Sequence, residues 1–247
     1  MGKRYAIIAG SGFADLAGGR PGRRPLTKFG SPEAPVRELD YGGQRVLYLA
    51  RHGDDVDVPA HRVNYRANLG ALKLLGASHV VGVNTVGVIR PGLRAGELAV
   101  PAQLIDYTYG RDHSIHEGKS ARLEHVDFSE PLSGPLRAGL LAAAGDAGVA
   151  CHDGGVYAVT QGPRLETAAE IDRLERDGAD FVGMTLMPEA AIARELGMRY
   201  ACLSLIVNAA AGRGEKGIYD DIEASMGSAK AKALAVLEAF FARDVRP

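Results

Sequence analysis

The 247-residue chain contains only two cysteines, Cys151 and Cys202. Two thiols exclude a disulfide framework and read as reduced, buried side chains. Cys202 sits inside an apolar run, which argues against a thiol nucleophile. Excess charge is also missing: the formal net charge is -1. No global field draws in nucleic acid or an anionic membrane, so neither is expected as a partner. Any anion site must be local. No long apolar run is found near the start. Tyr5–Ala9 in MGKRYAIIAG is too short for a signal core or a membrane span. Position 6 is Ala6, without the hydroxyl of a myristoylation signal. These absences predict a cytoplasmic protein. Also missing are a GxSxG nucleophile elbow, a GK[ST] phosphate loop and an acidic motif for magnesium. His113 and His116 stand three apart without a clear third ligand, so no metal site is expected.

What remains is an ordinary globular balance, 46% hydrophobic and 24% charged, enough to bury a real core. No repeat of 20–50 residues and no low-complexity block divides it. One domain over residues 1–247 is expected. Short β-rich runs alternate with longer helical patterns. The runs are Tyr5–Ala9, Arg45–Ala50, His79–Thr85, Glu97–Asp106, Gly155–Thr160, Phe181–Met184 and Tyr200–Asn208. Helical patterns cover Val63–Leu75, Pro135–Ala147, Ala168–Asp177, Glu189–Leu196 and Ser225–Phe241. The alternation predicts an α/β fold with a mainly parallel sheet covered on both faces. Ser31–Gly43 and Gly110–Pro131 read as loops, and Arg213–Asp221 as a loop able to act as a lid.

Several strands run straight into small or polar residues: Gly10-Ser11-Gly12, Arg51-His52-Gly53, Thr85-Val86-Gly87, Thr185 and Asn208. Ligands of open α/β sheets bind beyond the carboxyl ends of strands. One shared cleft is therefore expected. Arg51 offers a planar fork, His52 a further donor, and Ser11, Thr85 and Thr185 three hydroxyls. That set suits a small dianion such as inorganic phosphate. Taken singly, each residue also reads as a turn, a cap or a surface side chain. Glu166 reads either as a carboxylate opening a helix or as an acceptor for a heterocycle N–H. Asn208 reads either as a cap or as an amide offering donor and acceptor to one ligand edge.

Arg51-His52-Gly53, Pro59–Asn68, Gln161–Arg164, Gly178–Asp180 and Gly183–Glu189 occur in the order of one known family. Over residues 5–208 the chain resembles the methylthioadenosine phosphorylase branch of the purine nucleoside phosphorylases. The resemblance implies a phosphorylase/hydrolase-like single domain with a central mixed sheet flanked by helices. It implies a homotrimer with sites near subunit interfaces. It implies phosphate as co-substrate, with no cofactor, held by Ser11, Arg51, His52, Thr85 and Thr185. Met184 would pack on the ribose, Val86 and Gly87 would line base and sugar, and His125 would reach a neighbouring subunit's 5′ end. Leu165 stands where a Phe often stacks on the purine. Val56 stands where many relatives have a second His.

Base selectivity is implied by the differences. Adenosine-type members carry Asp at the positions of Asn208 and Ala210, and a small residue at Glu166. Inosine and guanosine phosphorylases carry Glu and Asn, as here. A 6-oxopurine presents N1–H and O6, which match Glu166 as acceptor and Asn208 as donor. Adenine would set acceptor against acceptor at Glu166, costing about 1–3 kcal/mol. With an apolar 5′ pocket, the expected substrate is S-methyl-5′-thioinosine. The alternatives are general inosine/guanosine phosphorolysis, methylthioadenosine phosphorolysis, and a non-catalytic nucleoside-binding protein.

Overall fold

The computed structural model describes residues 3–10, 12–13, 16, 20–118 and 124–243. Among them, eleven strands join into one mixed sheet. The central strand is β5 (His79–Val88). Along its first half it pairs in parallel with β1 (Tyr5–Ala9), which pairs in turn with β4 (Gln44–Ala50). Along its second half the same edge pairs antiparallel with β10 (Phe181–Gly183). The first register stops at Val83 and the second begins at Gly87. Between them the sheet splits at Asn84, Thr85 and Val86. The other edge of β5 carries β11 (Arg199–Ala209) in parallel along its whole length.

The sequence pattern explains why this sheet is covered twice. In β1, Tyr5, Ile7 and Ala9 face one core, and Ala6 and Ile8 the other. β11 repeats the alternation: Ala201, Leu203, Leu205 and Val207 point one way, and Tyr200, Cys202 and Ile206 the other. Both faces of these strands are apolar, as expected for strands buried on two sides. The first core is closed by α2 (Gly134–Asp146) and α5 (Ile218–Arg243) through Leu136, Leu140, Val236, Leu237 and Phe241. The second is closed by α1 (Tyr65–Leu74) and α4 (Leu186–Glu195) through Leu69, Leu72, Ala190 and Ile192. α3 (Ala168–Arg176) covers a third cluster with Ile171 and Leu174. None of the helices among the described residues is long and apolar enough to cross a membrane.

Three expectations are corrected. Ser31–Gly43 is not all loop. It holds β3 (Val36–Tyr41), which pairs antiparallel with β4, and the short β2 (Gly22–Arg23) lies beyond it. Val36 and Leu39 are its buried side chains, one in each core, a pattern masked by the charged residues between them. Glu97–Asp106 is two strands, β6 (Leu98–Val100) and β7 (Gln103–Asp106), in different parts of the sheet. Pro101 between them has no N–H for a ladder. Arg213–Asp221 is only partly loop, because α5 begins at Ile218 with Asp220 and Asp221 in its first turn. Acidic residues favour that end of a helix. The sheet also contains β8 (Cys151–Asp153), paired with β6, and β9 (Val156–Val159), paired with β7 and β10.

One glycine in β5 has to stay a glycine. A Cβ on Gly82 would lie 2.0 Å from the Tyr200 hydroxyl oxygen, in an interior with no slack. Gly82→Ala is expected to lower unfolding free energy by about 1–3 kcal/mol through overpacking. Urea denaturation should show the midpoint falling with an unchanged slope.

Candidate active site

A cavity of about 400 Å³ opens where the sheet splits. Its floor is made of strand ends. Gly10 follows β1, Arg51 and His52 follow β4, and Asn84–Gly87 belong to β5. Gly183, Met184 and Thr185 end β10, and Val207, Asn208 and Ala210 end β11. The expectation of one shared cleft at the strands' carboxyl ends is therefore met. Of the residues singled out from the sequence, Arg51, His52, Thr85, Val86, Gly87, Leu165, Glu166, Met184, Thr185, Asn208 and Ala210 all line it. Ser11 lies outside the described residues. His125 is exposed and away from this chain's cavity.

Arg51 is fully buried. Its Nε and Nη2 donate to the two carboxylate oxygens of Glu189 at 2.7 and 2.8 Å. Nη2 also donates to the Ile8 carbonyl, and Nη1 to the Val83 carbonyl, each at 3.0 Å. A guanidinium has five N–H groups. The one left over belongs to Nη1, which sits 3.0 Å from where a Cβ on Gly10 would stand. Burial pulls the Arg51 pKa down, but the charge and hydrogen bonds of Glu189 pull it further up. The cation is permanent, and only one donor faces the cavity. The expectation of an open Arg fork is corrected to this single N–H.

His52 is likewise not the donor expected. Its Nδ1 meets the Val58 carbonyl at 2.8 Å. Burial first, and then the Arg51 charge, lower its pKa to about 4. The hydroxyl of Thr185 makes no capping bond to α4 although the residue occupies the N-cap position. It lines the cavity, as does Thr85 on the split strand.

Glu166 and Asn208 line the same cavity. Glu166 does not open α3. Thr167 is the N-cap, and Glu170 closes its capping box. Glu166 instead accepts a hydrogen bond of 2.6 Å from the Thr160 hydroxyl. Asn208 is aimed by a bulge in β11: Ile206 pairs with Val86 and Asn208 with Gly87, which leaves Val207 as the extra residue. Bulges of this kind re-aim a side chain. The Asn208 amide donates to the Ala209 carbonyl at 2.7 Å, which leaves a second N–H and the side-chain oxygen for a ligand. A Cβ on Gly87 would lie 3.0 Å from that amide nitrogen. The rest of the lining is mostly apolar, with Val56, Val58, Pro59, Ala60, Ile218 and Ile222, and includes the exposed Asp57.

Sequence reading missed Arg111. It reaches from the long loop to four backbone carbonyls: Met184 and Met187 through Nη1, Thr160 and Gln161 through Nη2. Its Nε donates to the Gln161 side chain. All five N–H groups are used, and they tie together the segments that carry Glu166 and Thr185. No spacing in the sequence signals such a clamp. Asn84, Ile218 and Ile222 were missed as well. Among the described residues no group of three His, Cys, Asp or Glu side chains is placed to hold a metal ion. Burial pushes the Cys202 thiol up to about 11, out of nucleophilic range.

Residues 4–242 match the Phosphorylase superfamily. The chain belongs to this superfamily. A protein of Pseudomonas syringae pv. tomato named "Probable S-methyl-5'-thioinosine phosphorylase" is 49% identical over 242 residues, 95% of this chain and 98% of that protein. The "6-oxopurine nucleoside phosphorylase" of Pyrococcus furiosus is 39% identical over 219 residues, 86% of this chain and 82% of its own. Among solved structures, methylthioadenosine phosphorylase from Schistosoma mansoni in complex with tubercidin superposes with a TM-score of 0.90 at 29% identity. The match covers 98% of this chain and 92% of that one. The superfamily's fold is thus the one observed here, and its members named above are nucleoside phosphorylases.

Two substitutions test how this phosphorylase holds its site. Glu189→Ala strands the Arg51 charge in the core and should cost about 3–5 kcal/mol of stability. Calorimetry reads this directly, and an unchanged Tm would contradict the arrangement. Arg111→Lys keeps the charge but offers three donors from one atom in place of a planar fork. Unpaired carbonyls should then cost about 1–3 kcal/mol, seen as a lower urea midpoint.

Proposed function

We propose that this phosphorylase cleaves the N-glycosidic bond of S-methyl-5′-thioinosine with inorganic phosphate, releasing hypoxanthine and 5-methylthioribose 1-phosphate. The observation that carries the reading is the set of residues gathered in one cavity. Arg51, His52, Thr85 and Thr185 line it together with Glu166, Asn208 and several apolar side chains. Ser11 completes the phosphate set in this reading. The names of the relatives support it from outside, since they pair 6-oxopurines with methylthio nucleosides. No cofactor is required, and the enzyme works as a cytoplasmic homotrimer in which His125 serves a neighbouring site.

The mechanism follows from charge. As the C1′–N9 bond stretches, the sugar gains oxocarbenium character and the purine gains negative charge. Phosphate beneath the sugar stabilises the cation that develops. Asn208 stabilises the departing base through N7 and O6, while Glu166 holds N1–H and sets its orientation. Val86 and Gly87 bound base and sugar, Met184 packs on the ribose, and Leu165 and Ala210 flank the purine. Holding both reactants in line makes the step effectively unimolecular. The walls formed by Val56, Val58, Ile218 and Ile222 favour a methylthio group over a hydroxyl at the 5′ end.

The reading is tested by offering methylthioinosine, methylthioadenosine and inosine, each with and without phosphate. Phosphate-dependent hypoxanthine release should be fastest from methylthioinosine. Adenine release as the best activity would reject Glu166 and Asn208 as base readers, and release without phosphate would reject phosphorolysis. Glu166→Gln should narrow the preference for oxopurine over aminopurine by about tenfold, because an amide presents either a donor or an acceptor to N1. The ratio of kcat/KM values reads this. Asn208→Ala should lower kcat by roughly ten- to a thousandfold through loss of leaving-group stabilisation.

A further inference from the structure

His52 is built to accept. Its Nδ1 lies 2.8 Å from the Val58 carbonyl oxygen. A carbonyl cannot donate, so Nδ1 carries the hydrogen. In the neutral ring, Nε2 is then a lone pair. A Cβ placed on Gly10 would stand 3.0 Å from Arg51 Nη1 and 3.6 Å from His52 Nε2. Gly10 leaves that position empty, and all three residues line the cavity. One small volume therefore faces a cationic donor on one side and a neutral acceptor on the other.

The surrounding charges keep the ring neutral. Burial and the Arg51 guanidinium both act against an imidazolium, holding the His52 pKa at about 4. The Arg51 charge is itself balanced from behind by Glu189. Asp57 also lines the cavity, but on an exposed turn. Glu166 is engaged by Thr160. A fully deprotonated tetrahedral anion has only acceptors to set against Nε2. Monohydrogen phosphate has one hydroxyl hydrogen that fits it.

We propose that His52 Nε2 accepts a hydrogen bond from the hydroxyl of monohydrogen phosphate and takes that proton as the sugar phosphate forms. The proposal rests on the phosphorolysis reading above and makes His52 a catalytic residue in it. An unprotonated phosphate oxygen forms the bond to C1′, and the C1′–N9 electron pair leaves with the purine. The phosphate O–H bond breaks and Nε2–H forms. The product is a sugar phosphate dianion beside an imidazolium. The imidazolium then returns its proton to solvent, and the purine anion takes one up. No further reactant is needed.

The test is calorimetric titration of the full-length enzyme with phosphate and with sulfate at about pH 8, in two buffers of different ionisation enthalpy. Phosphate should bind with almost no proton uptake. Sulfate, which has no hydrogen to offer, should bind at least about tenfold more weakly, because its oxygens meet the Nε2 lone pair as acceptor against acceptor. In His52→Gln the amide turns to donate, and sulfate should approach phosphate to within roughly threefold. Proton uptake with phosphate in the wild type would overturn the proposal, as would sulfate binding within roughly threefold of phosphate. Those wild-type arms decide the matter even if the variant does not fold. Failure of phosphate to bind at all would remove the anion site, and the phosphorolysis reading with it. Tight phosphate binding with a failed sulfate arm would remove only the role of His52.

Discussion

The buried pair of Arg51 and Glu189 is the constraint around which the site is arranged. Both side chains have no solvent exposure. Removing two such charges from water costs several kcal/mol per ion, so a pair of this kind is no simple gain in stability. Its geometry shows what it achieves. The guanidinium binds the Ile8 carbonyl near the end of β1 and the Val83 carbonyl in the middle of β5, and the carboxylate accepts from the Tyr200 hydroxyl at 2.7 Å. Four chain segments are thus locked to α4 through two side chains. The cost is met because nearly every donor and acceptor is satisfied. The single N–H left over is aimed at Gly10. A surface arginine would carry the same charge but would lose rotamer entropy on binding an anion. This one is already ordered.

The same pair marks how far the sequence could be read. The alternation of β1, β5 and β11, the strand ends rich in Gly, Thr and Asn, and the helices that follow are local patterns. They were legible because period and turn chemistry are local properties. So was the gathering of those ends into one cleft, which follows from the topology of parallel strands. The state of each side chain was not legible. Arg51 looked like an open fork because its partner lies 138 residues away. His52 looked like a donor because nothing in Arg-His-Gly announces that Val58 will take Nδ1. Glu166 reads either as a helix opener or as an acceptor for a heterocycle, and only the Thr167 cap and the Thr160 hydroxyl remove the first alternative. The errors in strand assignment share the cause in reverse. β3 is short and interrupted by charge, and its partner β4 decides its conformation, while Pro101 divides a run that looks continuous.

Arg111 shows how a loop takes part in the site without lining it. Its five donors meet four main-chain carbonyls and one side-chain oxygen. No carboxylate neutralises it in these contacts. The guanidinium therefore acts as a planar staple between the end of β9 and the end of β10. Thr160 lies on one side of the staple and Met184, next to Thr185, on the other. Glu166 and Thr185 are in this way held at a set spacing. In the function proposed above, in-line displacement demands that spacing, since reactant misplacement of an ångström is costly.

The parts of the cavity lining differ in how they are built. Arg51 and His52 stand at the end of a central strand beside a buried ion pair, so their geometry cannot adapt without disturbing the core. A mostly apolar part is supplied by the turn at Val56–Ala60, which also carries Asp57, and by Ile218 and Ile222 near the start of α5. Val56 even sits at a φ of 54°, a conformation disfavoured for a β-branched residue. Substitutions along that part alter contact area and shape, and they leave the Arg51 network untouched. Loops and helix ends tolerate such change far better than central strands. Rigidity therefore differs from part to part of the lining, although the Val58 carbonyl ties this turn to His52. Asn208 is fixed by a strand bulge, while Glu166 depends on a loop and one hydroxyl. In the function proposed above, a switch of purine preference has its easiest route through residue 166 and its neighbour Thr160, with Asn208 following only where the bulge allows.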